Sequence, residues 1–119
     1  MTKGEGTSEN CNVALVLDKG FGSHVEKLAS RMPVWIVDSE KNDAAISALR
    51  ARGVTSVTTL LPMLGESPVQ ILWRALRNIE DHHRDVIAAP NGLIFVYGVD
   101  EGVITPEMLE EFKLKRMTL

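Results

Sequence analysis

Short apolar runs alternate with amphipathic segments along the chain, and this order of elements limits the fold more than any other feature of the sequence. The apolar runs occupy residues 12–18, 34–38, 54–61 and 93–97. Three of them are almost continuously apolar, which is typical of parallel strands covered on both faces. The segments between the runs carry apolar residues at helical spacing. The alternation therefore predicts an α/β domain with helices on both faces of a mostly parallel, four-stranded sheet.

The length of the chain limits the number of domains. A chain of 119 residues is long enough for one core and too short for two. Residues 1–10 are rich in Gly, Ser, Thr, Glu and Asn and contain no apolar run of the kind found in a secretory signal. We therefore expect a flexible N-terminal tail over 1–10, followed by a single three-layer α/β domain over 11–119.

The composition of the third run indicates its place in the sheet. Residues 54–61 (VTSVTTLL) contain more Thr and Ser than the other runs, as expected of an edge strand. The other three runs look central. Strand order 3-2-1-4 satisfies this pattern best, whereas the alternative order 2-1-3-4 would bury the Thr-rich strand.

The fourth strand can be connected in two ways. If residues 86–89 are extended, the Pro90-Asn91-Gly92 turn closes a hairpin and one strand is antiparallel. If residues 86–89 instead end the preceding helix, the fourth strand joins the sheet in parallel by a right-handed crossover. The buried character of 93–97 favours the second arrangement.

Local signals mark where several helices begin and end. Ser23 and Glu26 fit a capping box, and Ser67 and Thr105 each precede a proline at a first helical position. Gly53 fits a left-handed C-cap. The basic residues of 113–116 follow the last predicted helix, where its negative end favours positive charge.

Charge and cysteine content exclude several classes of partner and site. The net charge is −3 and aromatic residues make up 5% of the chain, which argues against nucleic acid or an anionic membrane as the main partner. Cys11 is the only cysteine, so the chain can form neither an internal disulfide nor a Cys-rich metal site. We expect a cytoplasmic protein.

A glycine-containing segment after the first strand is the best candidate for ligand binding. Gly20 and Gly22 would let the backbone approach a phosphate, and the helix start that follows would offer free amide groups. The pattern partly resembles the dinucleotide fingerprint of Rossmann-like folds, of which this chain would form one half. However, Val25 stands where the third glycine belongs. The candidate ligand-binding residues are Asp18, Lys19, Gly20, Gly22, Ser23, His24 and Asp38.

Other interpretations of these polar residues are structural. Gly20 and Gly22 can simply form a tight turn, and aspartates after strands commonly cap turns. His82 and His83 are adjacent, so on a helix their rings point about 100° apart and cannot easily hold one metal ion. His83 continues an apolar stripe and is expected to be a partly buried structural residue. The sequence indicates no metal site, no cofactor and no catalytic residue.

The segment Leu60–Leu64 is unusually apolar for a strand end and loop. It is either packed onto the core of its own chain or exposed to a partner. In the second case Leu61, Met63 and Leu64 would form an interface with a protein partner or a second copy. The sequence therefore favours a non-catalytic binding module. The alternative is an enzyme that binds a phosphate- or nucleotide-containing ligand at Gly20-Phe21-Gly22, and both hypotheses include a small anionic molecule among the candidate partners.

Overall fold

A computed structural model describes residues 12–17, 23–54, 56–100 and 102–117. The strands are β1 (Asn12–Val16), β2 (Val34–Val37), β3 (Val57–Leu60), β4 (Leu93–Tyr97) and β5 (Leu114–Met117). The helices are α1 (Ser23–Ala29), α2 (Asp43–Ala51), α3 (Pro68–His82), α4 (Arg84–Ala88) and α5 (Pro106–Glu111). A single 3₁₀ turn, Glu40–Asn42, precedes α2. The predicted tail over 1–10 lies outside the described residues.

The strands form one parallel sheet in the order β3-β2-β1-β4-β5. The predicted order 3-2-1-4 is confirmed, and β3 lies at an edge. The prediction of four strands is wrong by one, because residues 114–117 pair with β4 as a fifth strand. Lys115 and Arg116 are exposed on this strand, which is typical of an edge that must not pair with other chains.

Helices cover both faces of the sheet, so the domain has the predicted three layers. Val13, Leu15 and Trp35 point to one face, where they pack with buried residues of α3 and α5. Ala14 and Ile36 point to the other face and pack with residues of α1 and α2. Successive strand residues alternate between the two cores because side chains of a strand point alternately to opposite faces. This double burial explains the almost continuous apolar runs of β1 and β2.

The connection into β4 follows the second of the two predicted routes. Residues 84–88 form the short helix α4, and β4 then pairs in parallel with β1 from Asn12–Leu93 to Val16–Tyr97. The break between α3 and α4 falls at His83, whose φ of −130° and ψ of 53° are not helical. We call His83 together with α4 the elbow. The hairpin alternative is therefore wrong.

The predicted helix ends agree with the structure at three positions. Ser67 forms a complete capping box with Gln70, and Thr105 accepts a hydrogen bond from the Met108 amide. Gly53 follows α2 with a φ of 71°, the left-handed conformation that glycine adopts without strain. Helix α1 ends at Ala29, about two residues earlier than the sequence predicts. Within the described parts of the chain, no helix has the length and apolar character needed to cross a membrane.

Candidate functional site

The carboxyl ends of the parallel strands meet at one edge of the sheet, and the predicted ligand-binding residues follow these ends. Asp18, Lys19, Gly20 and Gly22 lie outside the described residues. Helix α1 begins at Ser23, as predicted, but the side chains of Ser23 and His24 are not among those described. The carboxylate of Glu26, the other half of the predicted capping box, lies 2.8 Å from Arg52, the residue that follows α2.

Asn42 lies at this edge of the sheet, where its side chain bridges the ends of β1 and β2. Its Nδ2 donates hydrogen bonds to the carbonyl oxygens of Leu17 and Val37, both at 2.9 Å. The side chain is completely buried, and no side-chain capping bond to α2 is formed by Asn42 or to the 3₁₀ turn by Ser39. The amide therefore joins the ends of two neighbouring strands instead of capping the helix.

The strand order reverses between β1 and β4, the usual place for a ligand in an open parallel sheet. Pairing with β4 continues one residue beyond β1, because the Leu17 amide donates to Tyr97 O at 2.8 Å. Gly98 then turns the chain with a φ of 81°, and the following Val99 is buried. A ligand at this point would therefore lie beyond Leu17, the last residue described before the gap at 18–22.

The acidic residues at this edge are spread out. Asp38 follows β2 and is half-buried, whereas Asp100 lies beyond β4 and is exposed. Their strands are separated by β1, so the strand ends are about 10 Å apart at the usual spacing between strands. No group of three or more His, Cys, Asp or Glu residues able to hold a metal ion occurs in the part of the chain that was described.

His82 and His83 both pack against Trp35 at the opposite end of α3 from the apolar segment. The Trp35 indole Nε1 donates to His83 Nε2 at 3.0 Å, so the neutral His83 ring carries its proton on Nδ1. The ring centroids of Trp35 lie 5.4 Å from His82 and 6.0 Å from His83. Burial, and to a smaller extent the neighbouring His82, lowers the pKa of His83. This arrangement agrees with the structural role predicted for His83.

The apolar segment after β3 is the most distinctive surface of the described chain. Leu60 is buried at the end of β3, but Leu61 is 70% exposed, Met63 is 65% exposed and Leu64 is fully exposed. Burial of these three side chains in their own chain, the first of the two predicted alternatives, is therefore wrong. We call residues 61–66 the apolar loop.

A set of hydrogen bonds fixes the backbone of the apolar loop. Arg74 of α3 binds both carboxylate oxygens of Glu66 at 2.8 Å and donates to Leu61 O at 2.8 Å. Glu66 in turn accepts from the Met63 amide at 3.0 Å. The side-chain hydrogen bond from Arg74 and the bond from the Met63 amide lower the pKa of Glu66 to about 2. The loop is thus held in one shape while its apolar side chains point to water.

The exposed face of α3 continues the surface of the apolar loop. Its middle holds a shallow depression of about 460 Å³, lined by Gln70, Trp73, Arg74, Arg77, Asn78 and Asp81. Arg77 lies 5.4 Å from the Trp73 ring centroid and binds Glu111 of α5 at 3.1 Å. Arg77 therefore joins α3 to α5.

Two of the interactions described above were not predicted from the sequence. The Glu66–Arg74 clamp spans eight residues and joins a loop to a helix, so no helical spacing reveals it. The strand-bridging role of Asn42 depends on the ends of β1 and β2 meeting in space.

Comparisons with protein-family models, with curated proteins and with solved structures gave no match for this chain.

Proposed function

We propose that this protein is a non-catalytic binding module that docks a protein partner on the apolar loop. The observation that carries the proposal is the exposure of Leu61, Met63 and Leu64 side by side on one loop. Single exposed apolar residues are normal on protein surfaces, but a group of large ones is typical of an interaction site.

The bonding of the apolar loop supports the same function. A loop that must be ordered on binding loses conformational entropy, which weakens the complex. Here Arg74 and Glu66 already fix the loop through the bidentate ion pair and the bonds to Leu61 O and from the Met63 amide. Docking therefore requires little further ordering of the loop backbone.

Site-specific photo-cross-linking tests the docking function. A photoreactive benzoylphenylalanine is placed at Leu64, and in a matched variant at Ser47, which is exposed on α2 on the other face of the sheet. In living cells we expect at least fivefold more cross-linked product from position 64, including products with a second copy of the chain. Equal yields from the two positions would contradict the proposal.

A second candidate function is binding of a phosphate- or nucleotide-containing ligand at Gly20-Phe21-Gly22, with an enzymatic activity that uses this ligand. The observation that favours it is the reversal of strand order between β1 and β4, next to which this segment begins. Such a ligand would stabilise the folded state and raise its melting temperature. Inorganic phosphate and a panel of nucleotides at millimolar concentration should then shift the thermal transition by several degrees, and a panel without any shift would refute this function.

A further inference from the structure

Three depressions form one continuous surface along the outer side of α3. The first lies at the apolar loop and includes Met63, Leu64 and Gln70. Gln70 also lines the middle depression, and Asp81 at the far end of the middle depression lines a third one. This third depression, of about 310 Å³, lies at the elbow. We call the whole surface the α3 face. It has the exposed apolar side chains of the loop at one end, and at the other a depression lined by Glu80, Asp81, Arg84 and Ala88.

The charged residues of the α3 face also differ between its two ends. Arg74 lies towards the apolar loop and Asp81 lies towards the elbow. They are seven residues apart, which is two helical turns, or about 10 Å along the axis. Among the described residues Asp81 takes part in no ion pair, and the bonds of Arg74 to Glu66 and Leu61 use only Nε and Nη2. Arg74 therefore keeps Nη1 for a carboxylate of a partner, and Asp81 can pair with a cation of a partner.

We propose that the α3 face binds a second copy of this chain, with the two α3 helices antiparallel about a two-fold axis between Arg77 and Asn78. The inference rests on the docking function proposed above and names its partner. A two-fold axis at this place puts Arg74 of each copy opposite Asp81 of the other copy. It also brings the apolar loop of each copy to the depression at the elbow of the other.

Self-complementarity is the reason for choosing a second copy over an unrelated protein. A two-fold interface uses the same patch on both subunits, so a protrusion must face a recess and a base must face an acid at equal distances from the axis. The α3 face meets this condition in its charges, because Arg74 and Asp81 lie on opposite sides of the proposed axis at equal distances from it. An unrelated partner could bind one end of the face alone, and its binding would not require the two ends to be complementary to each other.

The size of the α3 face determines how strongly the copies would associate. From Pro68 to Ala88 the helices extend over about 30 Å, and α3 with its neighbour α5 is roughly 20 Å wide. The resulting area of about 600 Å² per copy lies at the lower end of the range for specific interfaces. We therefore expect a dimer that forms and dissociates in the micromolar concentration range.

Sedimentation velocity over about 1–500 µM tests the dimer and its surface. Leu64→Asp and Asp81→Arg change side chains that are exposed, so neither should alter folding, which circular dichroism checks. Each is expected to weaken dimerisation at least tenfold. Ala44→Asp, which adds a negative charge at an exposed position of α2, should leave dimerisation unchanged. A monomer at every concentration, or equal effects of Leu64→Asp and Ala44→Asp, would overturn the inference.

A cross-link near the two-fold axis tests the antiparallel arrangement. In a Cys11→Ser background, Asn78→Cys places one thiol per copy beside the proposed axis, and Ser47→Cys places it on the other face of the sheet. A short bismaleimide should join two copies of the Asn78→Cys variant at least ten times faster than two copies of the control. Equal rates would overturn the proposed geometry.

The outcomes separate this inference from the proposed docking function. If the chain is monomeric but benzoylphenylalanine at position 64 cross-links a different protein, the second copy is the wrong partner and the docking function is supported. If the chain is monomeric and position 64 gives no more product than position 47, both proposals fail.

Discussion

Replacing Asn42 by alanine is expected to destabilise the domain strongly, although the residue lies in the 3₁₀ turn before α2 rather than in a strand or an α-helix. Its side chain is completely buried, and its Nδ2 joins Leu17 O to Val37 O with two bonds of 2.9 Å. Alanine removes the donor and leaves a small gap between the ends of β1 and β2. It changes neither the charge of the protein nor the polarity of its surface.

The expected loss of stability follows from the hydrogen bond that each carbonyl oxygen loses. Val37 O keeps a bond from the Ser39 amide at 3.0 Å, so losing the second bond costs about 1 kcal/mol. Among the described residues Leu17 O accepts only from Asn42, and a buried acceptor that loses its partner costs about 1–3 kcal/mol. The sum is a loss of about 2–4 kcal/mol. A domain of this length has a total stability of about 6–18 kcal/mol, so this is a large fraction.

Urea denaturation measures the effect. We expect the transition of Asn42→Ala to move to lower urea concentration with an unchanged m-value, because the same surface is exposed on unfolding. Asn78→Ala is the matched control, since Asn78 is half-buried and its Nδ2 makes a single bond, to Arg74 O within α3. This control should lose less than about 1 kcal/mol. If Asn42→Ala loses no more than the control, the two strand-bridging bonds do not stabilise the fold.

Three further predictions concern pH and a helix end. The folded state lowers the pKa of His83, so the unfolded chain binds more protons below about pH 6.5. The free energy of unfolding should therefore fall as the pH drops from about 7 to 5, and His83→Gln should reduce this slope. The pKa of Glu66 is lowered to about 2, so the contribution of its ion pair is complete above about pH 4.5 and is lost as the pH falls towards 2. Hydrogen exchange of the Met63 amide should accelerate in Glu66→Gln relative to wild type, and an unchanged rate would contradict the clamp. Gly53 has a φ of 71°, so Gly53→Ala should lower stability by about 1 kcal/mol in urea denaturation.

Much of the fold was predictable because its signals are local or depend on simple burial. The apolar runs of β1 and β2 predicted strands covered on both faces, and the Ser67–Pro68 pair predicted the start of α3. The Thr-rich composition of β3 predicted an edge strand. From these residues the order 3-2-1-4 followed, and the sheet has this order.

β5 was missed for a physical reason. Only two of its four residues, Leu114 and Met117, are apolar, because the strand lies at an edge and exposes Lys115 and Arg116 to water. The same basic residues suit the end of a helix, and the short α5 ends at Glu111, a few residues before them. The buried, apolar run of β4 was the signal that could have indicated β5, since a central strand needs a neighbouring strand on each side.

The sequence by itself determined the alternation of strands and helices, the cap residues and the apolar character of Leu60–Leu64, because each depends on neighbouring residues. Only the tertiary structure decided that Leu61, Met63 and Leu64 face water, since their exposure depends on how Arg74 and Glu66 hold the loop. The tertiary structure also decided that Asn42 donates hydrogen bonds to the ends of β1 and β2 and that His83 accepts one from Trp35. These contacts join residues distant in the chain, and the partner of a buried polar group is set by packing rather than by local preference.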